Sequence, residues 1–303
     1  MATKNVKNAN YWQVNKDQPQ ICSLRGAEIL PSRIAWERYS WFRKYFFKKP
    51  QYGYSIWINH QPNGIVYTCV NIDKKGIKQG MNNLLVIEKN LKVTLRGTCS
   101  ALKKNLSASH QAQGKIILKE SSVLNYEHFH SWGGKDFLDT DYDFILEKRA
   151  KLNYNYKILS SPRKAKIKTN VDLKEESSAD TNIVGSFSDT QTEIKDNLIL
   201  KGKNCSGMAK LRLVGNKNSR ISACSQIKAL AESKGHLDCQ GLLIDKKAKI
   251  SLTPELICEN KKAQLTHEAS IGKISEQELI YLRMRGFTEK QAIDLIVNGF
   301  LRK

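Results

Sequence analysis

Between residues 54 and 267 the chain is a succession of short apolar runs separated by polar, Gly, Asn or Lys turns. Runs stand at 54–58, 65–70, 84–87, 93–95, 116–118, 198–200, 211–214, 221–223, 242–244 and 250–252. In the C-terminal half they recur roughly every ten to twelve residues, and many alternate in period two. A strand turns successive side chains to opposite faces, so this texture predicts β-structure. No long amphipathic helical pattern interrupts it between Lys49 and Lys273. Regular short strands form an all-β sandwich, a barrel or a β-solenoid, and the spacing leaves all three open. The 303 residues are enough to bury a sizeable core. Residues 172–193, acidic and Ser/Thr-rich in a basic chain, read as an exposed loop or a polar stretch of rungs.

The two ends have a different texture. Residues 1 to about 25 are polar and are expected to be loosely ordered. A helix is predicted from Ser32 to about Phe46, with Ala35, Tyr39, Phe42 and Phe46 as its stripe. Arg33, Arg38, Arg43 and Lys44 surround that stripe. Such a helix either meets nucleic acid or a membrane surface, or docks its aromatic face on the next domain, which is the reading preferred. At the other end, Ser275 followed by Glu278 is a capping box that starts a helix over about 276–285, with Leu279 and Leu282 on one face. Gly286 can end it in the left-handed conformation. Thr288 and Gln291 repeat the box and start a second helix through Ala292, Leu295 and Ile296, which Asn298 and Gly299 are expected to stop. Helices this short are marginal alone and must pack on something.

The net charge is +21, which by itself suggests nucleic acid or an acidic membrane surface. The charge is spread over nearly the whole chain, and no zinc finger, helix-turn-helix or RNA-binding motif accompanies it. Diffuse lysine of this kind reads as a solvated surface, so neither nucleic acid nor membrane is expected as a partner. The first residues lack the apolar core of a secretion signal, and no run of about 18 apolar residues occurs. Seven cysteines without a C-x-x-C pair make no disulfide framework, which predicts a cytoplasmic protein with reduced thiols. There is no G-x-x-x-x-G-K-[ST] phosphate loop and no recognisable Ser-His-Asp or G-x-S-x-G arrangement. The chain is therefore not expected to be an enzyme or to bind nucleotide.

Several ordered strings go further. HEASIGKIS at 267–275, YLRMRG at 281–286 and NGFL at 298–301 together resemble the C-terminal signature of the SufB/SufD family, scaffold proteins of iron–sulfur cluster assembly. HLDCQGLLI at 236–244 resembles the family's cysteine-bearing strand, and TPELICENKKAQLTHEA leads from it to the His-Glu pair. LRGTCSA around Cys99, SASHQAQGKIIL around His110 and NYEHFHSWG at 125–133 match more loosely. The resemblance covers about residues 90–303 and is strongest after about 200. It implies a right-handed parallel β-helix over 54–272, an N-terminal region over 1–53 with one helix, and a C-terminal helical pair over 273–303. The helices at the two ends are expected to cap the solenoid, whose rungs bury apolar residues only against their neighbours.

The resemblance also implies a function: holding a transient iron–sulfur cluster and docking an ABC-type ATPase, SufC-like, that hydrolyses ATP in its place. Cys239, Glu268 and His267 are the ligand candidates it implies, and Cys99 the sulfur-acceptor candidate. Leu279, Tyr281, Leu282, Arg285, Phe287, Ile296 and Phe300 are the ATPase-docking candidates. A homodimer or a SufB/SufD-type heterodimer is implied, with a sulfur donor and apo iron–sulfur proteins as further partners. HEA at 267–269 favours the SufB-like branch, and the short length a minimal archaeal type, whereas Thr266 stands where SufB proteins can carry another carboxylate. Soft thiolate suits iron, and harder carboxylate or imidazole ligands make a site labile, as a scaffold that must release its product requires. With rungs of variable length, Cys239 and the His267-Glu268 pair could lie two or three rungs apart along one face, with His267 and Glu268 on opposite faces of their own strand. His128 and His130 share a face and could bind metal, though an exposed polar face is the preferred reading. Cys69, Cys205, Cys224 and Cys258 read as structural. The alternatives are a non-ligating SufD-like subunit, or a basic solenoid that binds nucleic acid or polysaccharide.

Overall fold

The computed structural model describes residues 9–302. Strands β1 (Tyr11–Val14), β2 (Gln20–Ile21) and β3 (Ala27–Pro31) lead to helix α1 (Ser32–Arg38) and a 3-10 turn at Ser40–Tyr45. There follow β4 (Tyr54–Ile58), β5 (Val66–Ile72), β6 (Lys78–Ile87), β7 (Lys92–Ala101), β8 (Ser109–Leu118), β9 (Val123–Ser131), β10 (Phe137–Leu146) and β11 (Lys151–Ser160). The series continues with β12 (Lys164–Leu173), β13 (Ser178–Ser188), β14 (Gln191–Leu200), β15 (Cys205–Asn216), β16 (Arg220–Ala229), β17 (Ser233–Leu243), β18 (Lys249–Cys258) and β19 (Gln264–Lys273). Helices α2 (Glu276–Met284) and α3 (Glu289–Arg302) end the chain.

From β5 on, odd-numbered strands form one sheet, of ten strands with β1 and β2 at its end, and from β4 even-numbered strands form the other, of nine with β3 at its end. Every pairing from β4 to β19 is parallel, and the result is a β-solenoid of about eight turns. This is the solenoid among the three architectures the spacing left open. One rung is two strands and two turns: Asn197 bonds to Asn170, 27 residues back, and Glu127 to Arg96, 31 back. Asparagines on the outer face ladder from rung to rung, Asn153 to Asn125 and Asn182 to Asn155, at 2.7 and 3.2 Å. At one corner Asn90, Ser121, Arg149, Glu176 and Asn204 all take a positive φ. Each donates its backbone N–H to a carbonyl of the following rung, as Arg149 does to Glu175 at 2.9 Å. That shared bond offsets the cost of roughly 1–2 kcal/mol that a left-handed non-glycine residue carries.

Inward residues alternate with outward ones on every strand and form one continuous core, from Tyr11 through Leu95, Tyr154 and Leu198 to Cys239. Full burial of each large apolar side chain stabilises by about 1.5–3 kcal/mol. Two inward glycines make room for aromatic neighbours. A Cβ on Gly114 would lie 2.3 Å from the Tyr142 ring, and one on Gly97 3.0 Å from the Tyr126 hydroxyl.

The ends depart from expectation. Of the polar N-terminus, residues 1–8 lie outside the described residues, and residues 9–25 are ordered where β1 extends the larger sheet alongside β5 and Trp12 donates to Asn71 at 2.9 Å. The predicted long helix breaks at Tyr39, whose backbone is extended and whose hydroxyl bonds both Glu28 oxygens at 2.7 Å. α1 and the turn do not cover the end of the solenoid. They lie on the outer face of the smaller sheet, where Ala35 and Phe42 pack on Leu84, Val86 and Ile117. This is why the runs at 84–87 and 116–118 are apolar on both faces. α2 ends at Met284 before Gly286 (φ 90°), and α3 runs on through Asn298 and Gly299 to Arg302. A glycine costs a helix about 1 kcal/mol, which fourteen residues absorb. α3 packs against β15 and does not close the last rung. The inward residues of β18 and β19 are half-buried or exposed, and both strands are sheet edges.

Candidate cluster and metal sites

The last two strands of the larger sheet carry the ligand candidates implied by sequence. Leu237 pairs in register with His267, Asp238 with Glu268 and Cys239 with Ala269. Cys239 and His267 therefore lie one rung apart on the inner face, two positions out of register, which puts their Cα atoms about 8 Å apart. The expected separation of two or three rungs was too large, since a rung takes two strands and not one. Glu268 points outward beside Asp238, as alternation predicts. Cys239 is 1% exposed, whereas His267 and Glu268 are exposed on the edge strand. Burial, with the nearby Asp196 and Asp238 carboxylates, pushes the Cys239 thiol up to about 12. Asp196 itself is fully buried, and burial raises it to about 7 although Thr181 donates to its Oδ2 at 2.7 Å. A protonated Cys239 reaches the ligating thiolate state only when a metal displaces its proton.

Cys99 is also buried, and it is not alone. It pairs in register with His130 across β7 and β9, with His128 two residues before on the same inner face. The preferred reading of His128 and His130 as an exposed polar face is overturned: they are 1% and 0% exposed. Cys99 Sγ is 3.8 Å from His128 Nε2, and the two Nε2 atoms are 3.0 Å apart. One ligand atom from each of the three lies within 4.8 Å of the others. Tyr154 Oη is 3.2 Å from His128 Nδ1, and the Trp132 indole N–H donates to His130 Nδ1 at 3.3 Å. Tyr156 stacks on His130, and His110 on Trp132. Burial drives His110 and His128 down to about 3 and His130 well below its ordinary value, so all three are neutral. Burial, with Cys69 behind it, raises the Cys99 thiol strongly. A neutral imidazole pair beside a thiol is a borderline-soft donor set suited to zinc or ferrous iron.

The remaining cysteines are unpaired, with Cys22 and Cys258 exposed and Cys69 and Cys205 buried. In the C-terminal helices the docking candidates divide. Leu279, Leu282, Ile296 and Phe300 are half-buried, while Tyr281, Arg285 and Phe287 face outward with Arg285 over the Tyr281 ring at 5.2 Å. Ile280 and Met284, exposed at 55% and 82%, extend that outward apolar surface and were not singled out in the sequence.

Comparison with known proteins bears on the whole arrangement. The family profile described as SUF system FeS cluster assembly, SufBD core domain, matches residues 70–300. A protein of Methanothermobacter thermautotrophicus (strain Winter), described as an iron–sulfur cluster assembly SufBD family protein, is 27% identical over 95% of this chain and 77% of its own length. An Archaeoglobus fulgidus protein of the same description is 24% identical over 98% of this chain and 85% of its own. One from the alga Antithamnion is 24% identical over 78% and 84%. A match that runs from the first rung to the last helix covers the cluster candidates, the buried thiol site and the C-terminal pair alike, and the chain belongs to the SufBD family of iron–sulfur cluster assembly proteins.

Proposed function

We propose that this chain is a SufB-like scaffold that holds a nascent iron–sulfur cluster at its open last rung and docks an ABC-type ATPase through α2 and α3. The observation that carries the reading is the placement of Cys239 and His267 on one inner face at the uncapped end, with Glu268 next to His267 on the outward face of the same exposed edge strand. A thiol with harder imidazole and carboxylate partners suits a cluster that must leave again. The exposed position of His267 and Glu268 gives iron, sulfide and a recipient protein access. A cluster needs more ligands than one such end supplies, and β18 and β19 offer unpaired edges, so the reading includes a dimer whose second subunit, a copy or a SufD-like partner, completes the site. The cytoplasm, where thiols stay reduced, is the compartment this chemistry fits. Cys99 is the candidate acceptor of sulfur from a donor protein, and its burial requires that the sulfur reach it through the solenoid wall.

Anaerobic reconstitution with ferrous iron and sulfide tests the reading. Wild type should gain a visible cluster chromophore and sediment as a dimer. Cys239→Ala and Glu268→Ala should each lose most of the bound iron and sulfide, whereas Cys205→Ala keeps them. Circular dichroism first establishes that each variant is folded. A wild type that binds no cluster, alone or with the ATPase, ends the scaffold reading and leaves the SufD-like one.

A further inference from the structure

We propose that Cys99, His128 and His130 form a second metal site inside the solenoid, binding one borderline divalent transition-metal ion of the zinc or ferrous class. It is separate from the cluster candidates on β17 and β19 and does not depend on them. The first argument is geometric. With metal–sulfur bonds of about 2.3 Å and metal–nitrogen bonds of about 2.0–2.1 Å, tetrahedral ligands stand about 3.3 Å apart for a nitrogen pair and about 3.6 Å for sulfur and nitrogen. The two separations from His128 Nε2 are 3.0 and 3.8 Å, each within a few tenths of an ångström of those values, and all three ligand atoms lie within 4.8 Å of one another, so an ion fits once Cys99 and His130 close on it.

The second argument is one of satisfaction. His110, fully buried across the core with its ring 6.3 Å from that of His130, has an Nε2 with no hydrogen-bond partner among the described residues. Its Nδ1 is engaged by Gln79 at 2.7 Å. A buried unpartnered imidazole nitrogen is costly, and a fourth donor, His110 or a water it holds, is what three protein ligands leave room for. Tyr154 Oη is placed to accept the Nδ1 proton of His128, the usual support of a ligating imidazole.

The network also says what must change. An indole N–H only donates, so in the metal-free protein Trp132 fixes His130 with its proton on Nε2, which donates to His128. On binding, the Cys99 thiol proton leaves with solvent, the His130 proton moves from Nε2 to Nδ1, and the ion takes the freed sulfur and nitrogen lone pairs. Trp132 then faces a donor and must turn away. Trp132 therefore opposes the metal-bound state, and an ion bound here occupies the thiolate, so Cys99 cannot accept sulfur until the ion leaves.

Cobalt(II) is the probe, added anaerobically to chelator-treated full-length protein and, in parallel, during refolding. One equivalent should give a sulfur-to-cobalt charge-transfer band with tetrahedral visible bands. Cys99→Ala should lose the charge-transfer band, and Cys205→Ala should not. His128→Ala and His130→Ala should weaken binding by more than the roughly 10–100-fold typical of supporting residues. Trp132→Phe should bind several-fold more tightly, an outcome no merely structural tryptophan gives. Circular dichroism screens the variants for folding. No charge-transfer band by either route, or a band that survives in Cys99→Ala and disappears in Cys239→Ala, overturns the site. Weaker binding by Trp132→Phe overturns the assignment of His130 as a ligand.

Discussion

Arg212 shows what a single residue can hide in a strand that reads as apolar. In LRLV of β15 it points outward, yet it is 5% exposed, on the strand against which α3 packs. Its guanidinium grips Asp238 on β17 through two nitrogens, Nη1 reaching Oδ1 at 2.9 Å and Nη2 reaching Oδ2, and Nη1 also meets the Asp238 carbonyl at 3.1 Å. Burial alone would raise the Asp238 carboxyl, but these bonds and the Arg212 charge hold it below its ordinary value. Removing one partner strands a buried charge, so Asp238→Ala should cost about 3–5 kcal/mol in chemical denaturation. Replacing both, as Arg212→Met with Asp238→Leu, should recover most of that loss. A double variant as unstable as the single one would show that the pair contributes more than the desolvation it entails. Nothing in the sequence marked this pair, since 26 residues separate its members and only the rung length makes them neighbours.

At the scale of elements, legibility followed the strength of local signals. The caps were readable: Ser275 accepts from the Glu278 N–H at 3.5 Å, and Thr288 and Gln291 exchange bonds at 2.9 and 3.3 Å. The strands were readable wherever one face is apolar. β9 was not, because its inward residues Tyr126, His128 and His130 carry polar atoms while its outward face includes Phe129, so the alternation looks reversed. The buried Cys99 site was lost for that reason, although each of its residues had been noticed separately. The helices α2 and α3 carry their own prediction. Their outward Tyr281, Met284 and Phe287 are exposed, with Arg285 over the Tyr281 ring, and among the strands α3 rests chiefly on β15. Truncation after Lys273 should abolish co-purification with the ATPase while the β-sheet circular dichroism persists. Unchanged binding by the truncated protein would move the docking site elsewhere.

On the scale of the whole molecule, a solenoid concentrates in one interior what a globular fold disperses. Three of the six histidines, His110, His128 and His130, sit in that core as neutral rings, and Asp196 sits there with its carboxyl raised by burial to about 7. Their linkages to folding oppose each other. Each histidine titrates near 6.5 when unfolded but well below that when folded, near 3 for His110 and His128, so between those values the unfolded chain binds the extra proton, and stability is lost as pH falls. Asp196 moves the other way, from 3.8 unfolded to about 7 folded, so the folded chain holds its proton and stability is gained as pH falls. Three protons against one leave a net of two, a slope of up to about 2.7 kcal/mol per pH unit. Chelator-treated protein should therefore lose denaturation midpoint steeply between about pH 6 and pH 4. Asp196→Asn removes the opposing proton and should steepen the slope by about half, whereas His110→Gln should flatten it by a similar amount. A pH profile flat through that window in wild type would mean that the histidines are not held neutral, and with that the buried ring network would lose its electrostatic basis.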